Sequence, residues 1–314
     1  MVAGALLGLS AGCLDDGGGG GGGGGGTVNF ITGFAFVRDD NQDIYVADRS
    51  DYTTVGRLTT SGGNRQPSLS ADGRQVVFVH TDAGGTSSIM TVATNGGGAP
   101  RTVYTANAAG GEKNFKNPVF SPDGTTIVFA YEVLTTSYLA KVAAADGSGF
   151  TALTGGPLSY ASPSFYPASS FPGEVLAAAG NSIGQYTLLE RININTLVHT
   201  PVTNDLGAEA ASITNRAVLS ADGTKVAFDA RLASASTATR IFVQVLSTGV
   251  TTQVSDTGAG STEALHAFPT WVSPTQVAFV SNEGGANQVY IQGISALGTG
   301  NLTLPSANQP WFGP

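Results

Sequence analysis

The sequence predicts an all-β protein, a six-bladed β-propeller built from four-stranded antiparallel blades. Three observations carry this. One short phrase opens five successive segments at nearly even spacing. Each opening is followed by two further short β-like runs. A truncated copy of the phrase, "QPWF" at 309–312, supplies the one strand that the first segment lacks.

The five full openings are "PSLSADGRQVVFV" (67–79), "PVFSPDGTTIVFA" (118–130), "PSFYPASSFPGEVLAAA" (163–179), "AVLSADGTKVAFD" (217–229) and "PTWVSPTQVAFV" (269–280). Their starts lie 51, 45, 54 and 52 residues apart, a period expected of propeller blades. Each opening holds two strands. Next come alternating runs such as "SSIMTVAT" and "TRIFVQVL", and then Thr/Val-rich runs such as "PRTVYT" and "TTQVSD", which make the third and fourth strands. The pairs Asp72-Gly73, Asp123-Gly124 and Asp222-Gly223 mark the turn between strands one and two. There Gly accepts a positive φ, and Asp bonds back to the local backbone.

The first segment, 33–60, matches strands two to four only. Its Phe36 aligns with Phe78, Phe129, Phe228 and Phe279. Eleven residues separate Pro67 from Phe78, and eleven back from Phe36 falls on Gly25, inside a run of ten glycines where no strand packs. The missing strand is therefore assigned to 309–312, which closes the ring and removes a sheet edge.

Composition agrees. Charged residues make up 11% of the 314, and Gly numbers 44, as expected for short strands and many turns. A net charge of −8 disfavours nucleic-acid binding, which needs a basic face. The single cysteine, Cys13, excludes an internal disulfide.

Residues 2–12, "VAGALLGLSAG", are too few to span a bilayer as a helix but suit a secretory signal. With Cys13 they resemble a bacterial lipobox, which implies cleavage before Cys13 and lipidation of its thiol. Ten glycines behind it give a flexible tether of about 17 Å r.m.s. span. Leu14, by resemblance to enterobacterial sorting, points to the outer membrane. The expected division is a signal segment at 1–12, a lipidated Cys and linker at 13–32, and the propeller at 33–314.

"PVFSPDGTTIVFA" resembles the repeat of the PD40, or WD40-like TolB, β-propeller family. The resemblance covers about 33–314. It is strongest at 118–130, 67–79 and 217–229, and weaker where "YPASSFPGE" and "SPTQ" replace the DG turn. TolB itself has a further α/β domain, which is not expected in this chain. In TolB the equivalent end of the propeller receives a peptidoglycan-associated lipoprotein, so the resemblance implies a protein partner.

Catalytic signals are weak. "GNSIG" (180–184) fits the nucleophile-elbow pattern, but a strand-like run follows it, so a hairpin turn is expected. His80, His199 and His266 show no zinc-ligand spacing. "RDDNQD" (38–43) lacks the glycine and terminal glutamate of a calcium loop and reads as a solvated turn. No metal or cofactor is expected.

A partner is expected where residues precede each first strand: Arg65 and Gln66, Lys116 and Asn117, Ala161 and Ser162, Asn215 and Arg216, His266 to Phe268, Asn308 and Gln309. The connections leading there, 105–117, 203–216 and 255–268, are long and polar, as functional loops tend to be. The expected function is that of a monomeric, non-enzymatic envelope lipoprotein. Its propeller would bind a protein or anionic envelope component through Arg65, Gln66, Lys116, Asn117, Asn215, Arg216, His266 and Gln309. The alternatives are a hydrolase or lyase acting on a carbohydrate or lactone in the channel, and a purely structural module.

Overall fold

The computed structural model describes residues 30–313 apart from 204, 257–263, 296 and 299. Cys13, the expected signal segment and the glycine run lie outside the described residues.

Among the described residues twenty-four strands form six four-stranded sheets, all antiparallel. Blade 1 contains β1 (Gly33–Val37), β2 (Ile44–Asp48) and β3 (Val55–Arg57). Blade 2 is β4 (Asn64–Leu69), β5 (Gln75–Thr81), β6 (Ser87–Ala93) and β7 (Arg101–Thr105). Blade 3 is β8 (Glu112–Phe120), β9 (Thr126–Val133), β10 (Thr136–Ala143) and β11 (Thr151–Ala152). Blade 4 is β12 (Ser159–Phe165), β13 (Glu174–Gly180), β14 (Leu188–Asn193) and β15 (His199–Thr203). Blade 5 is β16 (Ala210–Leu219), β17 (Lys225–Leu232), β18 (Ala235–Val245) and β19 (Thr251–Gln253). Blade 6 is β20 (His266–Ser273), β21 (Gln276–Ser281), β22 (Gln288–Gly293) and β23 (Asn301–Leu304). The last strand, β24 (Asn308–Gly313), returns to blade 1, whose order is β24-β1-β2-β3. Phe34 faces Phe312 and Ala35 faces Trp311, so the closure expected from "QPWF" is the closure observed.

The second strand of each blade reads as a continuous apolar run because it is covered on both faces. Phe36, Phe78, Phe129, Phe228 and Phe279 are all 1% exposed or less. Each blade packs against two neighbours, and six core clusters fill the six interfaces. A strand between two packed faces has no solvent side to alternate towards.

The Ser-x-Asp-Gly turn holds itself together. Ser70, Ser121 and Ser220 donate from Oγ to Oδ1 of Asp72, Asp123 and Asp222 at 2.6, 2.5 and 2.6 Å. The same Oδ1 accepts from the backbone N–H of Arg74, Thr125 and Thr224. These bonds, the serine's first, hold all three carboxyls below the usual range, Asp222 at about 2. Gly73, Gly124 and Gly223 take φ values of 69°, 71° and 68°.

One expectation is corrected. The first strands begin at Asn64, Glu112, Ser159, Ala210 and His266, up to seven residues before the openings at 67, 118, 163, 217 and 269. The stretches before those openings are strand, not loop. Proline marks a bulge there and not a start, because a residue without an N–H loses no ladder bond at a bulge. The register shifts between Arg65 and Ser68, Lys116 and Val119, Ala161 and Ser164, and Ala267 and Thr270.

Candidate functional site

The bulges build a collar around the channel. The residue before each bulge proline has a positive φ: Gln66 at 51°, Asn117 at 48°, Ser162 at 53°, Phe268 at 54° and Gln309 at 51°. Non-glycine residues hold such a φ only when their surroundings compensate. Side-chain amides do so here. Gln309 Oε1 accepts from the Gln66 N–H at 2.6 Å, Gln66 Oε1 from the Asn117 N–H at 3.0 Å, and Asn117 Nδ2 donates to the Asn215 carbonyl at 3.0 Å. Blade 5 has Ala217 where the others have proline, and the N–H it regains donates to Ser162 Oγ at 2.7 Å.

Blade 5 differs in a second way. Asp229 of β17 is fully buried and accepts four hydrogen bonds, from the N–H groups of Asn215, Arg216 and Phe268 and from Asn215 Nδ2. Burial nevertheless raises its pKa. Arg216 is 3% exposed and crosses the channel to donate to the Pro310 carbonyl at 2.5 Å. Its guanidinium lies 5.4 Å from the Phe268 ring centroid and 5.3 Å from that of Trp311. Burial pulls its pKa down to about 10. Trp311 touches the core clusters of three interfaces, those between blades 1 and 2, 3 and 4, and 5 and 6. It therefore stands close to the ring axis.

This geometry sorts the expected partner-binding residues. Arg216 and His266 are buried, not displayed at a mouth. His266 is 0% exposed, bonds Ser255 Oγ through Nδ1 at 2.8 Å, and is held at about pKa 3 by burial and by Arg240. Arg65 is half-buried and donates to Thr81 Oγ1 and to the Phe115 carbonyl. Lys116 pairs with Glu132 at 2.6 Å, and Glu132 also takes Asn114 Nδ2. Gln66, Asn117, Asn215 and Gln309 do meet, as the collar. Beside them Lys113 is exposed.

Other sequence features resolve as structure. Gln185 donates its N–H to the Ser182 carbonyl, so "GNSIG" is a hairpin turn. His80 bonds Asn64, and His199 bonds Glu190. In "RDDNQD" the turn is only partly solvated. Asp43 is 1% exposed and anchors Arg57, Thr59, Gly62 and Asn64. Among the described residues no group of three or more His, Cys, Asp or Glu is placed to hold a metal ion.

Two concavities flank the channel. On the collar face, a cleft of about 700 Å³ between blades 4 and 5 is lined by Ser182, Gln185, Thr187, Ser212 and Arg231, with Ala211, Leu232 and Ala233 among the others. Arg231 carries no sequence signal, because it sits at the end of a second strand, where the repeat marks only apolar positions. On the opposite face, where the Ser-x-Asp-Gly turns lie, a more apolar pocket of about 560 Å³ opens between Val218, Asp222, Trp271, Val272, Trp311 and Phe312.

The fold is TolB-like. TolB from Acinetobacter baumannii is 16% identical with a TM-score of 0.67, over 90% of this chain and 66% of that one. A putative TolB from Agrobacterium tumefaciens is 14% identical with a TM-score of 0.58, over 88% of this chain and 89% of that one. A puromycin-hydrolyzing peptidase from Mycobacterium tuberculosis is 15% identical with a TM-score of 0.53, over 92% of this chain and 46% of that one. The chain thus spans just under two thirds of the length of the Acinetobacter protein. No family model and no curated sequence matches it. At these identities the likeness concerns the fold, which serves both TolB proteins and a peptidase.

Proposed function

We propose that this protein is a binding propeller of the cell envelope rather than an enzyme, tethered through a lipid on Cys13 and acting as a monomer. Its partner, a protein or anionic envelope component, docks on the collar face. The observation that carries the reading is the filled lumen. Trp311 packs against three of the six interfaces, Arg216 lies against its ring and that of Phe268, and the collar amides are bonded to one another. A hydrolase or lyase working inside the channel needs that space for substrate. Recognition is left to the faces, where loops on a rigid scaffold serve it.

Exposure changes which cations are assigned to the partner. Lys113 and Arg231 are exposed, Arg65 and Lys116 are partly buried, and Arg216 serves the channel. The test is a photo-crosslinking residue placed at 113 or 231, and as controls at 74 or 225 on the turn face, in the native host. Adducts from the collar positions alone, reduced by Lys113→Glu in the 231 probe, are the expected result. Adducts from the turn face alone overturn the assignment. Intact mass of the membrane-extracted protein tests the anchor separately, since diacylglycerol on Cys13 adds a fixed mass.

A further inference from the structure

The pocket on the turn face has no part in that reading, and its chemistry is distinct. It lies at the opposite mouth of the channel, beneath Trp311, and holds about 560 Å³. That is within the size range of small-ligand sites, which are mostly apolar with a few placed polar groups. Both tryptophans of the chain line it. Among the described residues that line it, Asp222 is the one charged side chain.

The polar groups narrow the ligand class. Trp271 Nε1 is committed to the Val218 carbonyl at 3.0 Å, so this indole offers its ring and not a donor. Ser220 Oγ is committed to Asp222 Oδ1, and Thr270 Oγ1 accepts from the Phe312 N–H at 3.1 Å. A polyol would find Ser220 fully engaged and Thr270 left with only its proton to offer. An anion would meet a carboxylate. Asp222 places all its hydrogen bonds, from Ser220, Thr224 N and Thr224 Oγ1, on Oδ1. Its Oδ2 accepts no hydrogen bond from the described residues, and the exposed group, which also feels the charge of Lys225, is ionised down to about pH 2. Trp311 already carries Arg216 over its ring and Phe312 carries Arg49, whereas Trp271 has no cation over it among the described residues.

We propose that this pocket binds an organic cation on an apolar stem, an alkylammonium or a guanidinium, with the charge between the Trp271 ring and Asp222 Oδ2. Cation–π attraction is strongest at Trp and grows as the pair is desolvated, and the carboxylate adds a charge-assisted contact.

Because both tryptophans line the pocket, intrinsic fluorescence reports on it directly. The protein is titrated with choline, with Nα-acetyl-arginine amide, with 3,3-dimethylbutanol as the neutral isostere of choline, and with glucose. A saturable change with a cation and none with the isostere supports the site. A response to choline alone points to a free metabolite, and one to the arginine amide alone to a side chain of a partner peptide. Asp222→Asn can keep an acceptor at Oδ1 for the turn while removing the charge, and should weaken binding roughly tenfold. Asp123→Asn, the matched change in blade 3, should leave binding unchanged and controls for any effect on folding. Trp271→Phe leaves Trp311 as the reporter and should also weaken binding. Equal binding of the isostere, a response to glucose only, no saturable response to either cation, or wild-type affinity in Asp222→Asn overturns the proposal. None of these results bears on the collar face.

Discussion

Asp229→Asn isolates the most loaded group in the channel wall. Oδ1 of Asp229 accepts from the N–H groups of Asn215 and Arg216 at 3.0 and 2.7 Å, and Oδ2 accepts from Asn215 Nδ2 and the Phe268 N–H at 2.7 and 3.3 Å. An asparagine can keep the first pair. Its amide nitrogen then faces two donors with a donor, and both of those bonds are lost inside a fully buried site. Hydrogen bonds to a charged group contribute about 1.5–3 kcal/mol each. Removing a desolvated carboxylate offsets part of that loss. The expected destabilisation is about 2–4 kcal/mol, read as a shift in the urea midpoint with little change in slope. The pH dependence gives a second reading. Burial raises the Asp229 pKa in the fold, so above the unfolded value of about 3.9 the native state holds more proton than the unfolded chain. Its contribution is fully present below that value and is lost as pH rises through the folded pKa. Wild type should therefore lose a component of stability above about pH 4 that the Asn variant lacks. A destabilisation under about 1 kcal/mol, with parallel pH profiles, would refute the account of Asp229 as the anchor of this wall.

Three further outcomes follow from the same structure. Ending the chain before Asn308 removes β24 and bares the edge of β1; size-exclusion chromatography should show self-association and urea unfolding should lose its single transition. Gly147→Ala should lower the melting temperature by several degrees, because a Cβ there would lie 1.8 Å from the Val103 carbonyl oxygen at a φ of 73°. His266 is held neutral down to about pH 3, so its contribution, present above the unfolded pKa of about 6.5, should be lost as pH falls from about 6.5 towards 3. His266→Phe should flatten that limb in pH-dependent urea titrations.

Much of this was legible in the sequence because it is local. The Ser-x-Asp-Gly phrase closes its turn with its own atoms, and a phenylalanine recurs in five of the six second strands because every blade meets two neighbours. The truncated phrase at 309–312 betrayed the closing strand by the same repetition. The site was less legible. A proline at the head of a repeated phrase looks like a strand start, and only the sheet register shows that it follows a bulge. The destination of Arg216 depends on Pro310 and Trp311, whose approach reflects the closed ring and not any spacing near residue 216. The polar stretch before His266 reads as a loop, yet β20 carries the residue into the core. Asp229 escaped notice altogether. It occupies an otherwise apolar run, "KVAFDA", and that single exception to the pattern was the available signal.

The union of β24 with β1 also imposes an order in time. Thr32 Oγ1 bonds the Gly313 carbonyl across 281 residues, so the first blade waits for the last strand. Blades 2 to 6 are each made from contiguous chain and are available to form as they leave the ribosome. Blade 1 has to hold β1 with an open edge through that whole interval. The entropic cost of closing so long a loop grows only logarithmically with its length, about 0.6 kcal/mol per doubling, so the delay weighs on rate far more than on final stability. During synthesis the vulnerable species is a nearly complete ring with one unmatched edge, and a second copy of the same strand is the partner best shaped to fill it.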